Sequence, residues 1–113
     1  MTSDPFYEIR ESSNVLFSSE NLAECLAFAR SYLLADRDRT MTYIYLCIPA
    51  ESRGIIAGVV QQVFDLDDGS PIISYQEYGS PIVHDVREDG SLGKPLQIIK
   101  NRIGIGTAHV DRI

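Results

Sequence analysis

Two histidine–carboxylate groupings, His84-Asp85 and His109-Val110-Asp111, are where this chain could carry acid–base or metal chemistry. Imidazole and carboxylate together ligate divalent metals, and a histidine near its ordinary pKa can move a proton at neutral pH. Side chains on a strand repeat every two residues, so His109 and Asp111 face one way while His84 and Asp85 face opposite ways. A four-residue site therefore needs the two strands side by side, and even then one member points away. Nucleophilic chemistry would fall to Cys25 or Cys47, whose thiols need a neighbouring base. Cys25 lies in an apolar helical stripe, where cysteine acts as a small hydrophobe. Cys47 alternates with Tyr43 and Tyr45 on a strand. If the helix packs on that strand's other face, the thiols sit on opposite sides of a sheet, which excludes a disulfide between them.

Two loops resemble ligand motifs and fail on spacing. Asp65-Leu66-Asp67-Asp68-Gly69 starts like a calcium loop, which needs glycine at the sixth position and glutamate at the twelfth. Here glycine is fifth and the twelfth residue is Gln76. Gly104-Ile105-Gly106-Thr107-Ala108-His109 starts like a dinucleotide loop but has His109 at the third glycine. Gly-x-Ser-x-Gly and Gly-Lys-Ser/Thr signatures are lacking. Arg37 and Arg39 could grip a phosphate, but they alternate with Asp36 and Asp38, which reads as local neutralisation. The motifs give no cofactor and no metal ligand set, and their balance is against an enzyme.

The carboxylates carry more information. Between residues 65 and 89, Asp65, Asp67, Asp68, Glu77, Asp85, Glu88 and Asp89 face one base, Arg87, so this segment alone matches the whole chain's net charge of −6. Asp68-Gly69 and Asp89-Gly90 are turn signals near its two ends. Carboxylates at loop tips make a local negative field that selects cationic partners. The expectation is a non-catalytic binding, inhibitor- or immunity-like protein docking on a basic protein surface. Asp65, Asp67, Asp68, Glu88 and Asp89 would supply charge, and Tyr75 and Tyr78 the apolar anchor that charge alone does not give. The competing account is that these carboxylates keep strand ends soluble and block edge pairing. A sequence pI near 4.7 argues against direct contact with nucleic acid. The apolar run Ile55–Val60 is far too short to span a bilayer. The start Met1-Thr2-Ser3-Asp4-Pro5 lacks the features of a secretory leader, and two cysteines make no disulfide framework, so a cytoplasmic location is expected.

The elements follow from periodicity. At 113 residues and 44% hydrophobic, the chain suits one domain, residues 1–113, with a core that needs no staples. Strands are expected at 6–10 and 15–17. A helix follows over about 20–35, with Asn21 and Glu24 as a capping box. Leu22, Cys25, Leu26, Ala29, Tyr32 and Leu33 form its stripe, with Leu34 outside it. Strands are then expected at 41–48, 55–66 (with a bulge at Gly58), 72–78 and 82–87, with a last strand at 103–110. In residues 95–103, Leu96, Ile99 and Ile103 suit a short helix, whereas Ile98-Ile99 suits a strand.

The fold class is therefore α+β: one amphipathic helix on a curled antiparallel sheet of about five to seven strands. That outline resembles cystatin-like and hot-dog-like folds. The cystatin hairpin Gln-x-Val-x-Gly is not met, because Gln61-Gln62-Val63-Phe64-Asp65 has aspartate at the glycine and the chain has no tryptophan. Both middle strands are apolar on both faces, so either residues 95–103 or a second subunit should cover the face the helix leaves bare. Two further functions follow from this layering. One is a ligand-binding protein or enzyme with a pocket between helix and sheet, using His84, His109 and Asp111. The other is a structural homodimer pairing through Tyr43 and Tyr45.

Overall fold

Helix α1 (Leu22–Leu34) starts where Asn21 accepts the Ala23 N–H at 2.9 Å while its own backbone stays extended. The expected box with Glu24 is a relay instead. The Asn21 N–H donates to Ser19 Oγ, and the Ser19 hydroxyl donates to Glu24 at 2.7 Å. Cys25, Leu26, Ala29 and Leu33 are buried, and Leu22 and Tyr32 are half-buried beside them. Leu34 also packs against this core, contrary to its expected place outside the stripe. No glycine ends the helix. The buried Gln62 carboxamide donates to the carbonyls of Leu33 (2.9 Å), Asp36 (2.9 Å) and Arg39 (3.0 Å), which ties the helix end and the connector after it to the strand that carries Gln62.

A computed structural model describes residues 4–100 and 108–112. Among the described residues, eight strands accompany the helix, in chain order β1 (Phe6–Glu11), β2 (Asn14–Ser19), β3 (Met41–Ile48), β4 (Arg53–Asp65), β5 (Pro71–Glu77), β6 (Val83–Val86), β7 (Leu92–Lys100) and β8 (Ala108–Arg112). Pro49 converts the end of β3 into a single 3-10 turn over Pro49–Glu51. The ambiguous 95–103 segment is thus strand through Lys100, and residues 101–103 lie outside the described residues. The sheet order is β2-β1-β3-β4-β5-β6-β7-β8, every pairing in that series antiparallel. β8 then returns to β4 in parallel, opposite Phe64 and Asp65, so strands β4 to β8 close on themselves.

That closure explains how strands with two apolar faces are accommodated. One face of β1, β3, β4 and β5 supplies Ile9, Ile44, Val60, Ile73 and Tyr75 to the core under α1. Residues one position out of phase face the other way. There Val63 and Ile72 form a second, smaller core with Leu96 of β7. The bulge in β4 falls at Ala57, which is passed over between the Ile44–Gly58 and Tyr45–Ile56 pairs. Gly58 is kept free of a side chain by Tyr75, since a Cβ there would stand 2.5 Å from the phenol ring.

Candidate functional site

The first acidic turn is built from its own carboxylates. Asp65 Oδ1 accepts the Asp67 N–H at 2.8 Å, Asp68 Oδ1 accepts the Ser70 N–H at 2.9 Å, and Gly69 takes φ +71°. Aspartate folds a chain this way because its short carboxylate reaches a backbone N–H two residues on. Asp67 and Asp68 are exposed at the tip, and Asp65 is half-buried at its base. The second turn repeats the device. Asp89 Oδ1 accepts both the Ser91 N–H (2.9 Å) and the Ser91 hydroxyl (2.6 Å), and Gly90 takes φ +86°. The Ser91 hydroxyl, then its N–H, holds the exposed Asp89 carboxyl below its ordinary pKa, so it stays ionised into mild acid. Arg87 turns back on its own loop, donating to the Leu92 carbonyl at 3.0 Å.

The register puts both turns at one end of the sheet. Ser74 pairs with Asp85 and Gln76 with Val83, so the start of β5 and the end of β6 lie at one end of the sheet. The first turn leads into Pro71, and the second leaves Val86. A groove of about 270 Å³ runs between them and α1, lined by Leu34, Pro71, Ile73, Val86 and Glu88. Arg30, Asp85 and Arg87 also line it, so the groove has mixed charge. Exposed apolar side chains flank the tips: Leu66 is 47% exposed and Leu92 is 40% exposed.

Neither expected anchor belongs here. Tyr75 is 3% exposed, packs over Gly58 and donates its hydroxyl to the Ala57 carbonyl at 3.3 Å, so it is a core residue no partner can reach. Burial pushes its pKa up to about 12. Tyr78 is 77% exposed but follows Glu77 at the opposite end of β5. There it lines an apolar groove of about 400 Å³ with Tyr43, Ile56 and Val59, on the face the helix does not cover. Leu66 and Leu92, not the tyrosines, are the exposed apolar side chains beside the acidic turns. Leu66 continues the apolar alternation of β4 in sequence, yet the strand ends at Asp65, whose carboxylate takes the Asp67 N–H and starts the turn. Leu92, between Ser91 and Gly93, gave no comparable signal.

The other candidate residues do not converge. His84 Nδ1 lies 3.1 Å from the Gly93 carbonyl, a contact within the β6–β7 pair. β7 separates the strands of His84 and His109, so the two are not neighbours, and the side chains of His109 and Asp111 lie outside the described residues. Gly104 to Thr107 also lie outside them. Cys25 and Cys47 are both free thiols on opposite faces of the sheet, as strand alternation requires. Burial pushes the Cys25 thiol up to about 11. Arg37 and Arg39 pack over rings rather than simply cancelling Asp36 and Asp38. Arg37 lies 4.4 Å from the Phe64 centroid and Arg39 4.1 Å from that of Tyr32.

No protein-family model, curated protein or solved structure matches the chain. Its acidic end is therefore read on geometry and charge alone. Among the described residues no helix is long and apolar enough to cross a membrane.

Proposed function

We propose that the protein is a small non-catalytic binding module, inhibitor- or immunity-like, whose acidic end docks on a basic protein surface with apolar side chains of its own. The observation that carries this reading is that both Asp-Gly turns project from one end of the sheet, on either side of the groove beside Leu34, with Leu66 and Leu92 exposed beside them. Asp67, Asp68, Glu88 and Asp89 supply the field that attracts and orients a cationic partner. The two leucines and the groove beside Leu34 supply the desolvated contact that gives lifetime to the complex. Asp65 supports the first turn from its base. Two free cysteines suit a reducing compartment, and we place the protein in the cytosol on that ground.

The test uses the full chain and, as probe, an amphipathic peptide of alternating leucine and lysine, followed by calorimetry. Binding should weaken as salt is raised. The triple variant Asp67→Asn, Glu88→Gln, Asp89→Asn should lower affinity by about tenfold or more, since it removes charge while asparagine can still accept the turn hydrogen bonds. Leu66→Ser with Leu92→Ser should also weaken binding at constant charge. Equal affinity for the neutralised and native chains would remove the acidic end from the mechanism.

A further inference from the structure

Strand β2 is the edge at which the described sheet stays open. β1 pairs with one side of it and no described strand with the other, whereas at the far end β8 folds back onto β4. Edge strands ordinarily carry a lysine, a proline, an inward charge or a bulge that hinders another chain from pairing with them. Asn14-Val15-Leu16-Phe17-Ser18-Ser19 has no lysine, proline or charge, and of these devices only a bulge. Its one irregularity is the extra residue Leu16, between the Ile9–Phe17 and Arg10–Val15 pairs, which bends the strand but leaves Phe17 to Ser19 in regular register. Val15, 52% exposed, stands on this edge strand.

We propose that β2 pairs antiparallel with the β2 of a second copy, joining two sheets across a two-fold axis. A two-fold sets each residue of the strand against another residue of the same strand. Because β2 carries no charge, no register within it brings like charges opposite one another. The outward N–H and C=O groups of the edge gain partners, as in other strand-addition contacts. The acidic turns sit on the β4–β5 and β6–β7 connections, with β1 and β3 between them and the edge. The seats of negative charge therefore stay apart in the dimer and remain open to a partner.

Sedimentation equilibrium on the full chain over a wide concentration range tests this, with Val15→Lys and Ser18→Lys as variants. Both positions are exposed, so either lysine should leave the melting temperature at low concentration unchanged. The native chain should pass from monomer to dimer, and each lysine should raise the dimer Kd by at least about tenfold. A monomer at every concentration overturns the proposal. So does a dimer indifferent to both lysines, or one that dissociates only on Tyr43→Lys, which would seat the contact on the tyrosine groove. Amide exchange of the native chain gives a reading free of variants: protection at residues 14–19 should rise as the dimer forms, and unchanged protection across that transition contradicts it.

Discussion

Gly58 and Tyr75 show how closely single residues are matched in this fold. A Cβ on Gly58 would meet the Tyr75 ring at 2.5 Å, and the ring is fixed by its hydroxyl contact with Ala57 in the same strand. Gly58→Ala should cost about 1–3 kcal/mol, the usual range for forcing extra volume into a packed site, read as a lower denaturant midpoint. The same burial makes stability depend on alkaline pH. Cys25 and Tyr75 rise from their ordinary 9.0 and 10.0 to about 11 and about 12 because burial disfavours the charged forms. The folded chain therefore holds these protons where the unfolded chain has lost them. Their contribution is intact below about pH 9 and falls as pH climbs through the interval up to about 12. These two groups should leave the urea midpoint unchanged between neutral pH and about pH 9 and lower it within the interval above. Tyr75→Phe should flatten the upper part of the decline, and a profile unchanged by the substitution would show that the phenol is not its source.

Elements divide into those legible from pattern and those decided by tertiary contacts. Helix α1 and strands β1, β3 and β5 were legible because their alternation or stripe is unbroken and bounded by Asn21, Pro49, Pro71 and Gly79. The capping relay was not, because Ser19 competes for Glu24 from outside the motif. The 95–103 segment was undecidable from period alone; its strand state through Lys100 comes from pairing with β6 and β8. The acidic charge of the site was legible from composition and turn chemistry. Its apolar part was not: Tyr75, expected as an anchor, is buried by the fold, while Leu66, expected within the strand 55–66, is exposed in the turn. The second acidic turn is held by an element contact that no local rule reveals. A Cβ on Gly90 would collide with the carbonyl of Ala23 in the first turn of α1, and the residue also has φ +86°. Gly90→Ala should therefore lift the 87–91 turn from the helix and lower stability by about 1–3 kcal/mol. Faster amide exchange at Ser91 and Leu92 would report the detachment, and an unaltered melting curve would contradict it.

For the whole molecule, closure of β4 to β8 gives one sheet three distinct regions. One face is covered by α1, part of the other by the curl of the sheet itself, and the remainder is the open tyrosine groove. The antiparallel register of β4 to β7 sets both hairpin turns, twenty residues apart in sequence, at one end of the sheet. The central claim is that this end makes the contact. Its most direct test is an amide chemical-shift map of the full chain titrated with the leucine–lysine peptide. The account predicts that shifts concentrate at residues 65–71 and 86–92 and fade as salt is raised. Shifts centred on Tyr43, Ile56 and Tyr78, with the acidic turns unmoved, would contradict it.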